Sequence, residues 1–364
     1  MSLKKILFVI PTLEFGGAER VTLTLAECLS KNYDVSVLVL SESKYKYSTK
    51  VNCIQINTKK FHTKIGKVFN IFYRSYLISK ILKNKSPNLI VSFMESANIP
   101  SIFASLITHN LDSLVISVRN NPVKFPWFYK ILIKTLYRFP HTIVAPSNGV
   151  VKGLNIVAPS IKHVDFIPNP IGIDFIQKMM LIPDQYSFDI PKNYILAVGS
   201  LSHKKGFDRL ISIFARIKIK KLNLVIIGEG SERDNLTKLI DMYNLKERVI
   251  MPGIVKNPFY LYNRAFCLIM TSRYEGWPNT INEAIACSCP VISYNCNYGP
   301  SEILNHDNGF LIDEGDEDGV IKAVNKIYTN RNERGKVVKN GLKYIKNFSV
   351  DKIVKRWLLI KDIS

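Results

Sequence analysis

Two carboxylates, Glu275 and Glu283, stand eight positions apart in the stretch SRYEGWPNTINEA, with Gly276, Trp277, Pro278 and Asn279 among the residues between them. The apolar run FCLIMTS before them reads as a buried strand, and TINEAIAC reads as a helix. A strand that turns through a Gly- and Pro-containing loop into a helix start presents backbone N–H groups to an anion. Glu275 then sits at the loop mouth and Glu283 in the opening turn or so of the helix. Carboxylates accept hydrogen bonds from neighbouring hydroxyls, so the pair suits a polyhydroxylated ligand. The same letters also suit a plain helix start, where the dipole favours Glu.

Other loops offer complementary chemistry. Gly16 and Gly17, in FGGAER, follow the first strand and let a backbone approach a ligand closely at a helix start. The pattern is not G-x-G-x-x-G, so it does not read as a dinucleotide site. The run GSLSHKKGF repeats strand, turn and helix, and brings Lys204 and Lys205 to the turn. A lysine there adds a full charge where a phosphate would sit, and a point charge steadies a departing diphosphate without forked geometry. The turns around Gly228–Gly230 and around Gly253 and Ile254 also follow strands and offer backbone contacts to a base or a phosphate. The acidic run DEGDED, from Asp313 to Asp318, contains a D-x-D by letters but opens a helix far from these loops. It reads as a solvated helix start, and no obligatory metal or other cofactor is expected.

These loops need elements to hold them. Strand-like runs alternate with helix-length segments through both halves of the 364 residues, the mark of parallel sheets. KILFVIP, DVSVLVL, NLIVSFM, SLVISVR and TIVAPS read as strands of one domain; YILAVGS, LVIIGEG, RVIMPG, FCLIMTS, PVISY and GFLI as strands of another. The Pro-rich stretch around FIPNPIGID and IPDQYSFDIPKN separates them, and places the boundary near Pro183. The expected domains are 1–182, 183–345 and a final helical segment 346–364: an α/β chain with two Rossmann-like domains and a ligand cleft at the strand ends. The opening MSLKKILFVIP has too short an apolar run for a signal peptide and reads as the first strand. No apolar run is long enough for a spanning helix. The six cysteines lack metal-site spacing and read as buried free thiols of a reducing cytoplasm.

The net charge of +21 is uneven. Residues 1–180 hold 23 Lys and Arg against 9 Asp and Glu, and residues 43–94 and 113–164 hold no acid at all. Segments 59–85 and 119–138 interleave those cations with Phe, Tyr and Trp, which suits an anionic membrane surface. Nucleic acid is the other polyanion, but no nucleic-acid module is visible.

Taken in order, GGAER, the KKG loop, IIGEG, YEGWPNTINEA and YGPSEIL resemble the family-4 retaining glycosyltransferases over nearly the whole chain. The resemblance implies the GT-B fold, with two Rossmann-like domains whose parallel sheets face a central cleft. It also implies an enzyme of bacterial surface-polysaccharide or lipid-linked glycan assembly. By position, Glu283 would hold the nucleotide ribose and Glu275 the donor sugar. Backbone at Gly276, Trp277, Pro278 and Asn279 would touch sugar and phosphates, and Lys205 would neutralise the diphosphate. Gly16 and Gly17 would line the donor site from the first domain. Ser200 stands where the family often has Arg, which removes one cation; Arg273 and Lys204 are the candidates to replace it. Glu95 in SFMESANIP and Arg119 in SVRNNP are the candidates for the first domain's residue near the anomeric carbon. The ending FSVDKIVKRWLLI resembles the helix that crosses back to the first domain in this fold.

The expected reaction is transfer of a hexose or N-acetylhexosamine from a nucleotide-sugar, UDP-linked, to a polyprenyl-diphosphate-linked glycan. The expected location is the cytoplasmic face of a bacterial plasma membrane. A non-catalytic membrane- or nucleic-acid-binding protein on the same scaffold is the alternative.

Overall fold

Apolar runs of four to six residues, separated by helices, are buried on both faces when the strands lie parallel. The computed structural model follows this rule. It describes residues 3–14, 16–42, 49–58, 63–161, 163–186, 188–304 and 307–361, with backbone alone at 64, 65 and 67. Among them, one sheet holds β1 Lys5–Ile10, β2 Asp34–Val39, β3 Asn52–Gln55, β4 Leu89–Phe93, β5 Leu114–Ser117, β6 Thr142–Ala145 and β7 Val164–Phe166, in the order β3-β2-β1-β4-β5-β6-β7. The other holds β8 Tyr194–Val198, β9 Asn223–Ile227, β10 Val249–Gly253, β11 Cys267–Met270, β12 Val291–Tyr294 and β13 Phe310–Ile312, in the order β10-β9-β8-β11-β12-β13. Every pairing is parallel.

The strands expected from apolar runs are all present. Two more lie at the edges of the first sheet. β3 reads NCIQ and is largely exposed, and β7 is three half-buried residues, VDF, so neither carries an apolar run to be seen.

Contacts divide the chain into two units: Met1–Pro170 with Phe348–Ser364, and Ile171–Asn347. The division falls after Pro170, earlier than the expected position near Pro183. Asn257 explains this, since its side-chain amide donates to the carbonyls of Met179 and Ile182, both at 2.9 Å. Those bonds tie the helix Ile173–Met179 to the second unit. The final helix, Val350–Leu359, belongs to the first unit and packs on the helix Gly17–Leu29. It buries Ile353, Val354 and Trp357, and the Trp357 ring lies 5.9 Å from that of Phe93 at the end of β4.

Trp357→Ala should therefore destabilise the first unit by about 3–5 kcal/mol, the usual cost of truncating a buried aromatic. Urea unfolding followed by amide exchange in β1 and β4 tests this. Unchanged protection there would detach the final helix from that core.

Candidate functional site

In the second sheet the chain winds outward from β8 to β10 on one side and from β11 to β13 on the other. The loops after β8 and β11 leave neighbouring strands at the point where the winding reverses, the usual ligand crevice of an open parallel sheet. The first is the lysine loop; the second carries Glu275. Lys205 Nζ donates to Glu275 Oε1 at 2.6 Å, and Lys204 Nζ lies 3.3 Å from Oε2. Ser272 Oγ also donates to Oε1, at 2.8 Å. Burial pushes the Glu275 carboxyl up, but the charges of Lys205 and Lys204 and the bonds from Lys205 and Ser272 prevail, bringing its pKa to about 2. Its backbone N–H donates to Asn297 O at 2.8 Å, which ties the loop to the one after β12.

The two loops are strapped together by backbone as well. Arg273 N–H donates to Lys204 O at 2.8 Å, and Thr271 Oγ1 donates to Gly206 O at 2.8 Å. Gly206 has φ 65°, and a Cβ there would stand 2.2 Å from Thr271 O. Only glycine gives both the left-handed turn and this approach. The Arg273 guanidinium donates to His203 O at 2.6 Å and pairs with Asp208 at 2.6 Å. It serves as a strap of the lysine loop, and Lys204 is the second cation at Glu275. Ser200 Oγ lies 3.1 Å from Ser202 Oγ.

Glu283 lies within the helix Asn279–Ala286, which Pro278 caps, and is buried. Tyr262 OH donates to its Oε2 at 3.3 Å. Gly276, Trp277 and Pro278 are buried between the two glutamates, and Asn279 is half-buried. Gly253 ends β10, and its carbonyl accepts from Gly228 N–H at 2.9 Å; Ile254 follows, partly exposed. A Cβ on Gly228 would lie 1.9 Å from Gly199 O. The glycines of IIGEG thus let that loop close on the lysine loop.

The acidic run is engaged elsewhere. Glu314 pairs with Arg209 at 3.1 Å, Glu317 and Asp318 pair with Arg216, and Asp316 caps the helix Glu317–Thr329.

The first sheet reverses its winding between β1 and β4. Gly16, after β1, caps the helix Gly17–Leu29, and a Cβ on it would meet the Glu19 carboxylate at 2.2 Å. Phe15, the first residue of FGGAER, lies outside the described residues. Glu95 opens the helix Glu95–Thr108 after β4. It is buried, and among the described residues its Oε1 has no hydrogen-bond partner. Burial raises its pKa to about 7, against a backbone hydrogen bond that lowers it. The phenols of Tyr129 and Tyr137 are raised by burial and then by this carboxylate. Arg119, after β5, is buried with its guanidinium 4.5 Å from the centre of the Phe93 ring, and Nη1 donates to Asn169 Oδ1 at 2.5 Å.

Tyr262, Asn169 and Arg74 were not legible in the sequence. Arg74 lies on the basic helix Lys64–Lys85 but is buried, donating to Thr58 Oγ1 at 2.9 Å, Ser41 Oγ at 2.6 Å and Ser96 O at 3.2 Å. Its spacing within a charged helix gave no sign of that burial. On the same helix Phe69, Phe72, Tyr73 and Tyr76 are exposed, as are Trp127 and Ile131 on the helix Trp127–Leu136. Residues 59–62 of the first basic segment lie outside the described residues. Among the described residues, no helix is long and apolar enough to cross a membrane.

Residues 15–175 match the family model described as Glycosyltransferase Family 4, and residues 181–344 match Glycosyl transferases group 1. An alpha-1,4-N-acetyl-D-galactosaminyltransferase of Campylobacter jejuni, named for GalNAc-alpha-(1->4)-GalNAc-alpha-(1->3)-diNAcBac-PP-undecaprenol, is 28% identical, with 99% of each chain covered. The N-acetylgalactosamine-N,N'-diacetylbacillosaminyl-diphospho-undecaprenol 4-alpha-N-acetylgalactosaminyltransferase of the same organism is 26% identical over 94% of this chain and all of its own. The crystal structure of Anabaena HepE in complex with UDP and glucose superposes with a TM-score of 0.81 at 19% identity, covering 98% of both chains.

The raised carboxyl of Glu95 has a sign. The folded state keeps its proton to about pH 7, whereas the ordinary value is 4.5. Stability from this group is whole below 4.5 and falls as pH rises through 7, by about 3 kcal/mol at most. Glu95→Gln should raise the melting temperature above pH 7 and leave it unchanged near pH 4.5. Parallel melting curves at both pH values would contradict the assignment.

Proposed function

This chain belongs to the family-4 glycosyltransferases of the GT-B fold, and from that premise we propose a retaining transferase using a UDP-linked hexose or N-acetylhexosamine. The acceptor is a glycan carried on a polyprenyl diphosphate, in the assembly of a bacterial surface or protein-linked glycan. The observation that carries the reading is the buried Glu275 between Lys204 and Lys205, with Glu283 on the helix that follows. Loss of a nucleoside diphosphate leaves negative charge on the leaving oxygen, and fixed cations beside it lower that barrier. Glu275 accepts from the sugar hydroxyls and holds Lys205 in place; Glu283 accepts from the ribose hydroxyls. Gly253 and Ile254 offer backbone to the base. Support for the acceptor comes from the two Campylobacter relatives, whose names specify undecaprenol-linked substrates, and for the donor from HepE with its bound UDP.

We propose no obligatory metal, because the acids of the D-x-D run are held by Arg209, Arg216 and a helix cap. The exposed aromatics of the helices Lys64–Lys85 and Trp127–Leu136, among their lysines, support docking on an anionic membrane surface at its cytoplasmic face.

Incubation with UDP-sugars and a polyprenyl-diphosphate glycan should give an elongated product and free UDP, with or without EDTA. No product with any nucleotide-sugar would sink the reading. Lys205→Ala and Glu283→Ala should each lose tens- to hundreds-fold in kcat/KM, from about 2–3 kcal/mol of charge-assisted contact. Sedimentation with vesicles containing an anionic lipid should retain the wild type and lose a Phe69→Ser, Phe72→Ser, Trp127→Ser variant. Equal retention of both would remove the membrane surface from those helices.

A further inference from the structure

Arg119 is the anomalous cation of the first unit. Arg74, equally buried, spends Nε, Nη1 and Nη2 on Thr58, Ser96 and Ser41. Arg119 spends only Nη1, on Asn169 Oδ1, and its Nε and Nη2 are buried with no hydrogen-bond partner among the described residues. Those two atoms form one edge of the guanidinium, the edge that takes two oxygens of a carboxylate or phosphate side-on. Phe93 lies under the guanidinium, and Trp357 and Phe8 pack against Phe93 at 5.9 and 6.2 Å, so the platform is fixed by the core. Burial lowers the Arg119 pKa to about 9, with no carboxylate acting on it, which leaves it charged at neutral pH.

A buried charge without a counter-charge is costly, and an isolated buried polar group calls for an explanation. Water can satisfy an N–H but does not neutralise the charge. Burial holds the proton on Glu95, which opens the helix after the neighbouring strand β4, up to about pH 7, and a helix N-terminus adds positive potential. β6 pairs with β5 beside Arg119, and the loop after β6 opens the helix Asn148–Val157, capped by Ser147. Its N-terminus faces the same end of the sheet.

We propose that Arg119 is the seat of a diphosphate in the first unit, with Nε–H and Nη2–H donating to two of its non-bridging oxygens. The positive surroundings favour a multiply charged anion over a single carboxylate. The reaction proposed above offers two such anions, the nucleoside diphosphate and the isoprenyl diphosphate, and only the choice between them rests on that reading.

The test is direct binding, by calorimetry and by ligand-induced melting shifts, with inorganic pyrophosphate, UDP and geranyl diphosphate as separate probes. Wild type, Arg119→Met, Arg119→Lys and Lys205→Ala are compared. Arg119→Met should weaken pyrophosphate and geranyl diphosphate at least tenfold, and Arg119→Lys, which keeps charge but not the fork, by less. Lys205→Ala should leave geranyl diphosphate binding unchanged. Without ligand, Arg119→Met should melt no lower than wild type, since it removes an uncompensated charge; a residue with only a structural role would melt lower and leave the ligand shifts intact. If Arg119→Met weakens UDP instead of geranyl diphosphate, the seat stands and its anion is the nucleotide's. Wild-type affinity for all three probes in folded Arg119→Met, or in Arg119→Lys where Met does not fold, overturns the proposal. Absence of transfer from every donor would sink the proposed reaction and leave this measurement untouched.

Discussion

A carboxylate buried between two ammonium groups governs the second unit. Glu275 is almost wholly out of water, where an isolated carboxylate would take up a proton. Two lysines and a serine hydroxyl hold it ionised. The attraction works both ways, because the carboxylate is also what fixes two flexible side chains at the mouth of β8. Everything around them serves that constraint: the left-handed glycine, the Thr271 bond, the Arg273–Asp208 pair and the close approach of the loop after β9. The lysines are thereby preorganised, and preorganised charge is what an electrostatic catalyst needs.

The first unit shows the opposite electrostatic condition at the corresponding end of its sheet. Glu95 sits there with its charge suppressed by burial, and Arg119 sits there charged with no carboxylate acting on it. Where the second unit neutralises its own charges, the first leaves one acid and one base each to an apolar setting. Groups placed at such an energetic disadvantage are typical of sites that complete themselves with a ligand.

Much of this was legible from residue order. Buried parallel strands must be apolar on both faces, so KILFVI and CLIM announced themselves, whereas NCIQ at a sheet edge did not. The lysine loop and the glutamate loop could be named as chemistry, but their meeting could not, because strand order and not sequence distance brings residues 205 and 275 together. Sequence order left Arg273 and Lys204 as alternatives for the same reason: Arg273, in the loop after β11, finds its partner Asp208 on a helix 65 residues away. Gly228 read as part of a possible ligand loop, and its close approach to the Gly199 backbone was not visible in residue order. Burial of Arg74 and Arg119 depends on what packs around them, and local spacing carries no trace of it.

The placement of the final helix has a consequence for how the protein is made. The first unit is interrupted in sequence: its sheet is complete by residue 166, yet Ile353, Val354 and Trp357, the last against Phe93, belong to the core on that sheet. A ribosome synthesises the whole of the second unit before it adds those residues. The unit synthesised first is therefore the one finished last, and must wait, with an apolar surface open beside β4, while its neighbour folds.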